Sequence, residues 1–172
     1  MNIRKAEVKD VSDIIDIIKS VHIKNVKNRD NGFLSSKNIS KRLYEKKVNQ
    51  FDYCYVYELE NKIVGFLLAT SFDLIKENNG IYPFLLSKNK ENFIYIFQVG
   101  VNPTYQKKGI ATLLYERLFK DAKINNFSVI SSKDPFNKAS REFHLKLGFK
   151  DVDVFKWTDG TESFVYKKKI IK

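Results

Sequence analysis

Apolar positions along the chain switch between two spacings, and the switches mark the elements. In "DVSDIIDIIKSV", Val11, Ile14, Ile15, Ile18 and Val21 recur at intervals of three and four, the spacing of one helix face. Asp10 stands before them as a candidate cap. "NISKRLYEKKVNQ" predicts a second helix, and Ile110, Leu113, Leu114, Leu118 and Ala122 give a third its buried stripe. "NKASREFHLKLG" predicts a fourth, capped by Asn137 and ended by Gly148. Between these, alternation takes over. "NIRKA" is a short strand. "FDYCYVYEL" and "KIVGFLLATSFDL", parted at Glu60, Asn61 and Lys62, predict an antiparallel hairpin. "FIYIFQVGV" is almost wholly apolar, which predicts a central strand buried on both faces. "FSVISS" is a further strand, and "FKDVDVFKW" and "ESFVYKKKI" flank the hairpin signal Asp159-Gly160. Residues 22–37 are polar and read as a loop. Residues 76–92, rich in Asn and Lys, predict a long loop or a short helical insertion.

The order is therefore β-α-α-β-β-β-α-β-α-β-β. It is an α/β class with a mixed central sheet of six to seven strands and about four helices. No repeat or linker interrupts it, so one domain is expected over residues 1–172.

Composition narrows the function. Thirty-one Lys and Arg against 20 Asp and Glu give a net charge of +11, which favours an anionic ligand or partner. The basic residues form no dense block, and most aromatics occupy alternating or helix-core positions. Nucleic acid is therefore not the expected partner. Cys54 stands in an apolar run and packs as a small core residue. Two His and one Cys, far apart, carry no metal signature. The first residues lack the apolar stretch of a signal peptide, and no run approaches the ~18 apolar residues of a membrane span. A cytoplasmic protein without a membrane partner is the expectation.

The stretch "VGVNPTYQKKGIATLL" carries the chemistry. A strand ends near Pro103, turns through Gln106, Lys107, Lys108 and Gly109, and enters a helix at Ile110. The first amides of a helix lack internal partners and lie at the positive end of its dipole. Gly109 and small Ala111 let an anion approach those amides, and Lys107 and Lys108 add charge. The preceding backbone at Val99, Gly100 and Val101 suits an extended, amide-containing ligand. A molecule with a pyrophosphate at one end and peptide-like groups at the other fits both, and coenzyme A has that form. Neither the Walker pattern nor the dinucleotide fingerprint is present.

The same stretch resembles motif A of the Gcn5-related N-acetyltransferases, the GNAT superfamily, whose signature is Q/R-x-x-G-x-G/A. Gln106, Gly109 and Ala111 fill its three positions. "NKASREFHLKLGF" resembles that family's motif B through Asn137, Phe143, Lys146, Gly148 and Phe149. The element order also matches, so the resemblance spans nearly the whole chain and implies a GNAT fold. It implies an acetyl-CoA-dependent N-acetyltransferase acting on a primary amine, with no metal and with homodimerisation as a family habit. It further implies that Val99 to Val101 hold the pantetheine arm, that Gln106 to Ala111 wrap the pyrophosphate, and that Asn137 meets the cofactor. Ser140 shares a helical stripe with Asn137 and His144, beside an apolar stripe of Ala139, Phe143 and Leu147.

Two positions depart from the family pattern. Motif B often carries a tyrosine that protonates the leaving thiolate, and His144 stands there instead. General acid, general base for the amine, and polar wall remain its three possible roles. The central strand lacks the Glu or Asp that often serves as base, which leaves Tyr95 and Gln98 to orient a water, with Asp73 and Asp134 as remoter candidates. These departures keep open a second reading, an acyl-CoA-binding GNAT protein without ordinary amine transfer. Acceptor choice is expected in residues 22–37 and 76–92, with Asp30, Asp73, Glu77 and Glu91 able to receive a cation.

Overall fold

The computed structural model describes residues 2–22, 24–25, 39–74, 81–89 and 91–171. Seven strands form one sheet: β1 (Asn2–Lys5), β2 (Tyr53–Leu59), β3 (Lys62–Ser71), β4 (Ile94–Val101), β5 (Asn126–Ser132), β6 (Lys150–Lys156) and β7 (Glu162–Lys169). Their order is β1-β2-β3-β4-β5-β7-β6, so β4 lies at the centre, as its apolar sequence requires. Every pairing is antiparallel except β4 with β5. The described helices are α1 (Val11–Ser20), α2 (Lys41–Gln50), α3 (Ile81–Lys88), α4 (Ile110–Asp121) and α5 (Lys138–Lys146). α3 is the helical form of the insertion and raises the count above four.

Alternation along the strands sorts the core onto two faces. Tyr55, Leu67, Ile96 and Val129 pack beneath α4 and α5. Val56, Phe66 and Leu68 pack against α1 and α2, and Tyr95 and Val165 pack against α3. The β2–β3 turn places Glu60 and Asn61 at φ 50° and 59°, as a tight hairpin requires.

Two local expectations are corrected. Asp10 does not cap α1 with its side chain. Its carboxylate instead accepts the Glu7 amide one turn earlier, at 2.8 Å, and pairs with Arg4 at 2.7 Å. The guanidinium and amide hold the Asp10 pKa down against the raising effect of burial. At α5 the expected apolar stripe holds in part: Phe143 and Leu147 are half-buried against the core, but Ala139 is exposed, and His144 and Asn137 are the more deeply buried residues.

Candidate active site

The sheet splits where the sequence motif begins. β5 follows β4 only from Ile94 to Ile96, opposite Phe127 to Val129. Beyond Ile96, β4 carries a bulge: Gln98 pairs with Leu68 but Ile96 pairs with Ala69, so Phe97 is the extra residue. After the bulge, the amide of Asn102 donates to the Val64 carbonyl at 2.9 Å. That bond sets the phase of the ladder, in which Gly100 turns its backbone groups toward β3. Val99 and Val101, opposite Leu67 and Gly65, turn theirs toward the split. The Val101 carbonyl accepts from Gln106 Nε2 at 3.1 Å. The side chain of Gln106 thus braces the loop against the strand end, and the backbone at Val99 keeps the open edge.

Gly100 serves packing as well. A Cβ there would lie 2.6 Å from the Phe66 ring. Gly65 does the corresponding work for α4, because its Cβ would stand 2.8 Å from Ile110 Cγ2. The absent side chain lets the start of α4 settle onto β3 beside the split. Sequence reading passed over Gly65, although an isolated glycine in an apolar strand signals close approach.

Gly109 is the N-cap of α4, at φ 81° and ψ −1°, and a Cβ on it would meet nothing within 4 Å. Lys107 is also left-handed, at φ 60°. The Leu113 amide returns to the Gly109 carbonyl at 3.0 Å, which leaves the amides of Ile110, Ala111 and Thr112 without helical acceptors. Lys107 and Lys108 are exposed beside them, and Lys108 Nζ lies 5.2 Å from the centre of the Tyr105 ring. Loop and helix together present bare amides, open space and two ammoniums.

α5 meets the split from the β5 side. The Asn137 amide donates to the Ser132 carbonyl at 3.1 Å, and Asn137 Oδ1 accepts the Ser140 amide at 2.9 Å. Asn137 is 7% exposed, and its Nδ2 has no hydrogen-bond partner among the described residues. His144 is 2% exposed and has both nitrogens engaged. Nδ1 donates to the Ser140 carbonyl at 2.7 Å, so Nε2 carries no proton and accepts the Tyr115 hydroxyl at 2.7 Å. The ring stacks on Tyr166 at 5.6 Å. Burial lowers its pKa to about 4, which keeps the imidazole neutral at neutral pH. Tyr115, absent from the expected stripe of α4, is buried and links that helix to α5.

On the opposite face the bulge puts Phe97 and Gln98 on the same side. The Tyr44 hydroxyl of α2 donates to Gln98 Oε1 at 2.8 Å, and burial pushes its pKa up to about 12. Tyr95 is buried, with its hydroxyl unpartnered among the described residues, and desolvation raises its pKa too. Both phenols therefore hold their protons at neutral pH. Lys47 Nζ stands 4.2 Å over Phe97 and 5.1 Å over Phe51.

The remoter candidates lie elsewhere. Asp73 and Asp134 are exposed, and Glu91 pairs with Lys169 at 3.1 Å. Asp73 lines a concavity of about 500 Å³ near the C-terminal end of α4, away from the split. His22 Nδ1 accepts the Lys24 amide at 3.2 Å. Asp30, Glu77 and most of the 22–37 loop lie outside the described residues. Among the described residues no group of three His, Cys, Asp or Glu is placed to hold a metal, and no helix is long and apolar enough to cross a membrane.

The site is thus a central sheet split after a bulge, with a glycine-capped helix start at its mouth. The model of the acetyltransferase (GNAT) family matches residues 23–149, and the chain belongs to that family. No curated protein matches the sequence. Among solved structures, a GNAT-family acetyltransferase from Streptococcus agalactiae aligns with TM-score 0.73 at 14% identity, covering 99% of this chain and 96% of that one. The ribosomal-protein-S18-alanine N-acetyltransferase from Escherichia coli aligns at 0.66 and 15% identity, covering 99% and 94%. A chain of the NatC complex bound to Gag peptide and CoA aligns at 0.68 and 14% identity, covering 99% and 98%. At these identities the likeness speaks for the fold.

Proposed function

We propose that this chain, acting as one domain, moves an acetyl group from acetyl-CoA to a primary amine by direct attack on the thioester. The observation that carries the reading is the open β4 edge at Val99 beside the bare amides that follow Gly109. In this reading the pantetheine amides pair with the backbone of Val99 to Val101. The diphosphate lies on the amides of the turn from Gln106 to Ala111, with Lys107 and Lys108 adding charge. Asn137 Nδ2, buried and unpartnered, supplies a donor from α5, and Ser140 borders it.

The amine lone pair attacks the thioester carbonyl carbon and the C–N bond forms. The oxyanion is met by strand amides near Val99. The C–S bond then breaks and the proton lost by nitrogen passes to water. Gln98, fixed by Tyr44, orients that water together with Tyr95. A thiol of pKa near ~8.5 departs as thiolate without an obligatory acid. That suits a His144 which is buried, neutral and engaged at both nitrogens: of its three roles, the wall is the one we assign. Positioning supplies much of the rate.

The tests are calorimetry with acetyl-CoA and an assay of thiol release over a panel of amines. Gly109→Glu is expected to abolish acetyl-CoA binding, because it sets a carboxylate where the diphosphate lies. The left-handed backbone adds a stability cost of about 1 kcal/mol, read separately by thermal melting. Unchanged affinity in a folded variant refutes the placement. The neutral His144 and the absence of a carboxylate from β4 also favour a second reading, acyl-CoA binding without transfer. Thiol release that no amine accelerates would select it.

A further inference from the structure

At the end of the sheet away from the split, a second concavity of about 500 Å³ is bounded by Lys88 of α3, Lys150 of β6, and Lys167, Lys168 and Lys169 of β7. Strand alternation spreads the β7 lysines around that end. Lys167 faces Lys150 across the β6–β7 ladder, and its Nζ donates to the Lys88 carbonyl at 2.5 Å. Lys168 lies on the other face and donates to the Leu147 carbonyl at 2.7 Å. Gly148 gives it room, since a Cβ there would stand 2.9 Å from Lys168 Nζ. Phe127 and Val152 supply apolar lining.

Two carboxylates answer these charges: Glu91 pairs with Lys169 at 3.1 Å, and Asp153 pairs with Lys88 at 2.6 Å. Among the described residues, none pairs with Lys150, Lys167 or Lys168. Lys150 and Lys167 share one face of this concavity, and the Lys167 ammonium is held by a main-chain carbonyl instead of by an acid. Desolvation lowers the Lys167 pKa.

We propose that this concavity binds a compact polyanion with consecutive phosphates, held by Lys150 and Lys167. Lysine recognises phosphate as a point charge, and Lys150 and Lys167, direct partners on one face of the β6–β7 ladder, offer two such charges to successive phosphates. The site is separate from the proposed diphosphate site, because its lining includes no residue of β4, of the turn from Gln106 to Gly109 or of α4. It does not rest on the acetyl-transfer reading.

Inorganic triphosphate is the probe, titrated calorimetrically into the whole chain, with orthophosphate as the comparison. Saturable one-to-one binding is expected, surviving in Gly109→Glu and weakened by about tenfold or more in the Lys150→Gln, Lys167→Gln double variant. Orthophosphate is expected to bind about tenfold more weakly or worse. A thermal melt without ligand shows whether the double variant is folded, and a single Lys150→Gln variant replaces it if it is not. Adenosine triphosphate, run in parallel, separates a nucleotide source from a bare polyphosphate; binding of either supports the site, and binding of neither overturns it. Loss of binding in Gly109→Glu with retention in the lysine variants also overturns it, as does equal affinity for orthophosphate.

Discussion

His144 exposes the difference between a residue's type and its situation. An ordinary imidazole titrates near 6.5, whereas here burial lowers the pKa to about 4. Between those values the unfolded chain takes up a proton that the native chain refuses. The stability that His144 contributes is therefore full above about pH 6.5, falls as pH drops toward 4, and is lost below it. The span corresponds to about 3 kcal/mol. Urea unfolding of the wild type and of His144→Gln, each referred to its own value at pH 7, tests this. The wild type should lose more stability on acidification, and parallel losses would mean that His144 does not control it. Its type and its place in motif B were legible in the sequence. Its neutrality was not, because that comes from burial among residues distant along the chain, Tyr115 at 29 residues away among them.

Among the elements, α4 depends most on a residue outside itself. Its glycine cap was readable from "QKKGIA", but the depth at which it sits on the sheet is set by Gly65 on β3. Gly65→Ala would press a methyl group into Ile110 Cγ2 at 2.8 Å and lift the start of the helix. The expected result is a loss of about 1–3 kcal/mol of stability and a raised KM for acetyl-CoA. Because the clash needs both side chains, Gly65→Ala should cost less in an Ile110→Ala background. Additive effects in a double-mutant cycle would show that the two do not meet. α5 gives the complementary lesson. Its cap and terminal glycine followed from local rules, whereas its most buried side chain is His144 of the polar stripe, deeper than Phe143 or Leu147. The ring nitrogens of His144 are satisfied by Tyr115 and Ser140, so a polar residue can occupy the interior and leave Ala139 outside.

Across the whole molecule, the charge of +11 acts on any phosphorylated ligand before contact. The KM for acetyl-CoA is expected to rise as sodium chloride is raised, through screening of that field. A KM flat across the salt series would assign recognition to short-range bonds alone. Element order, the central place of β4 and the glycine entry to α4 came from the chain by itself, since periodicity, capping and turn chemistry act over a few residues. The split between β4 and β5, the bulge at Phe97, the seat made by Gly65 and the neutral His144 were decided only by tertiary structure. Each arises where segments distant in sequence meet, and pattern along one chain carries no distance between them.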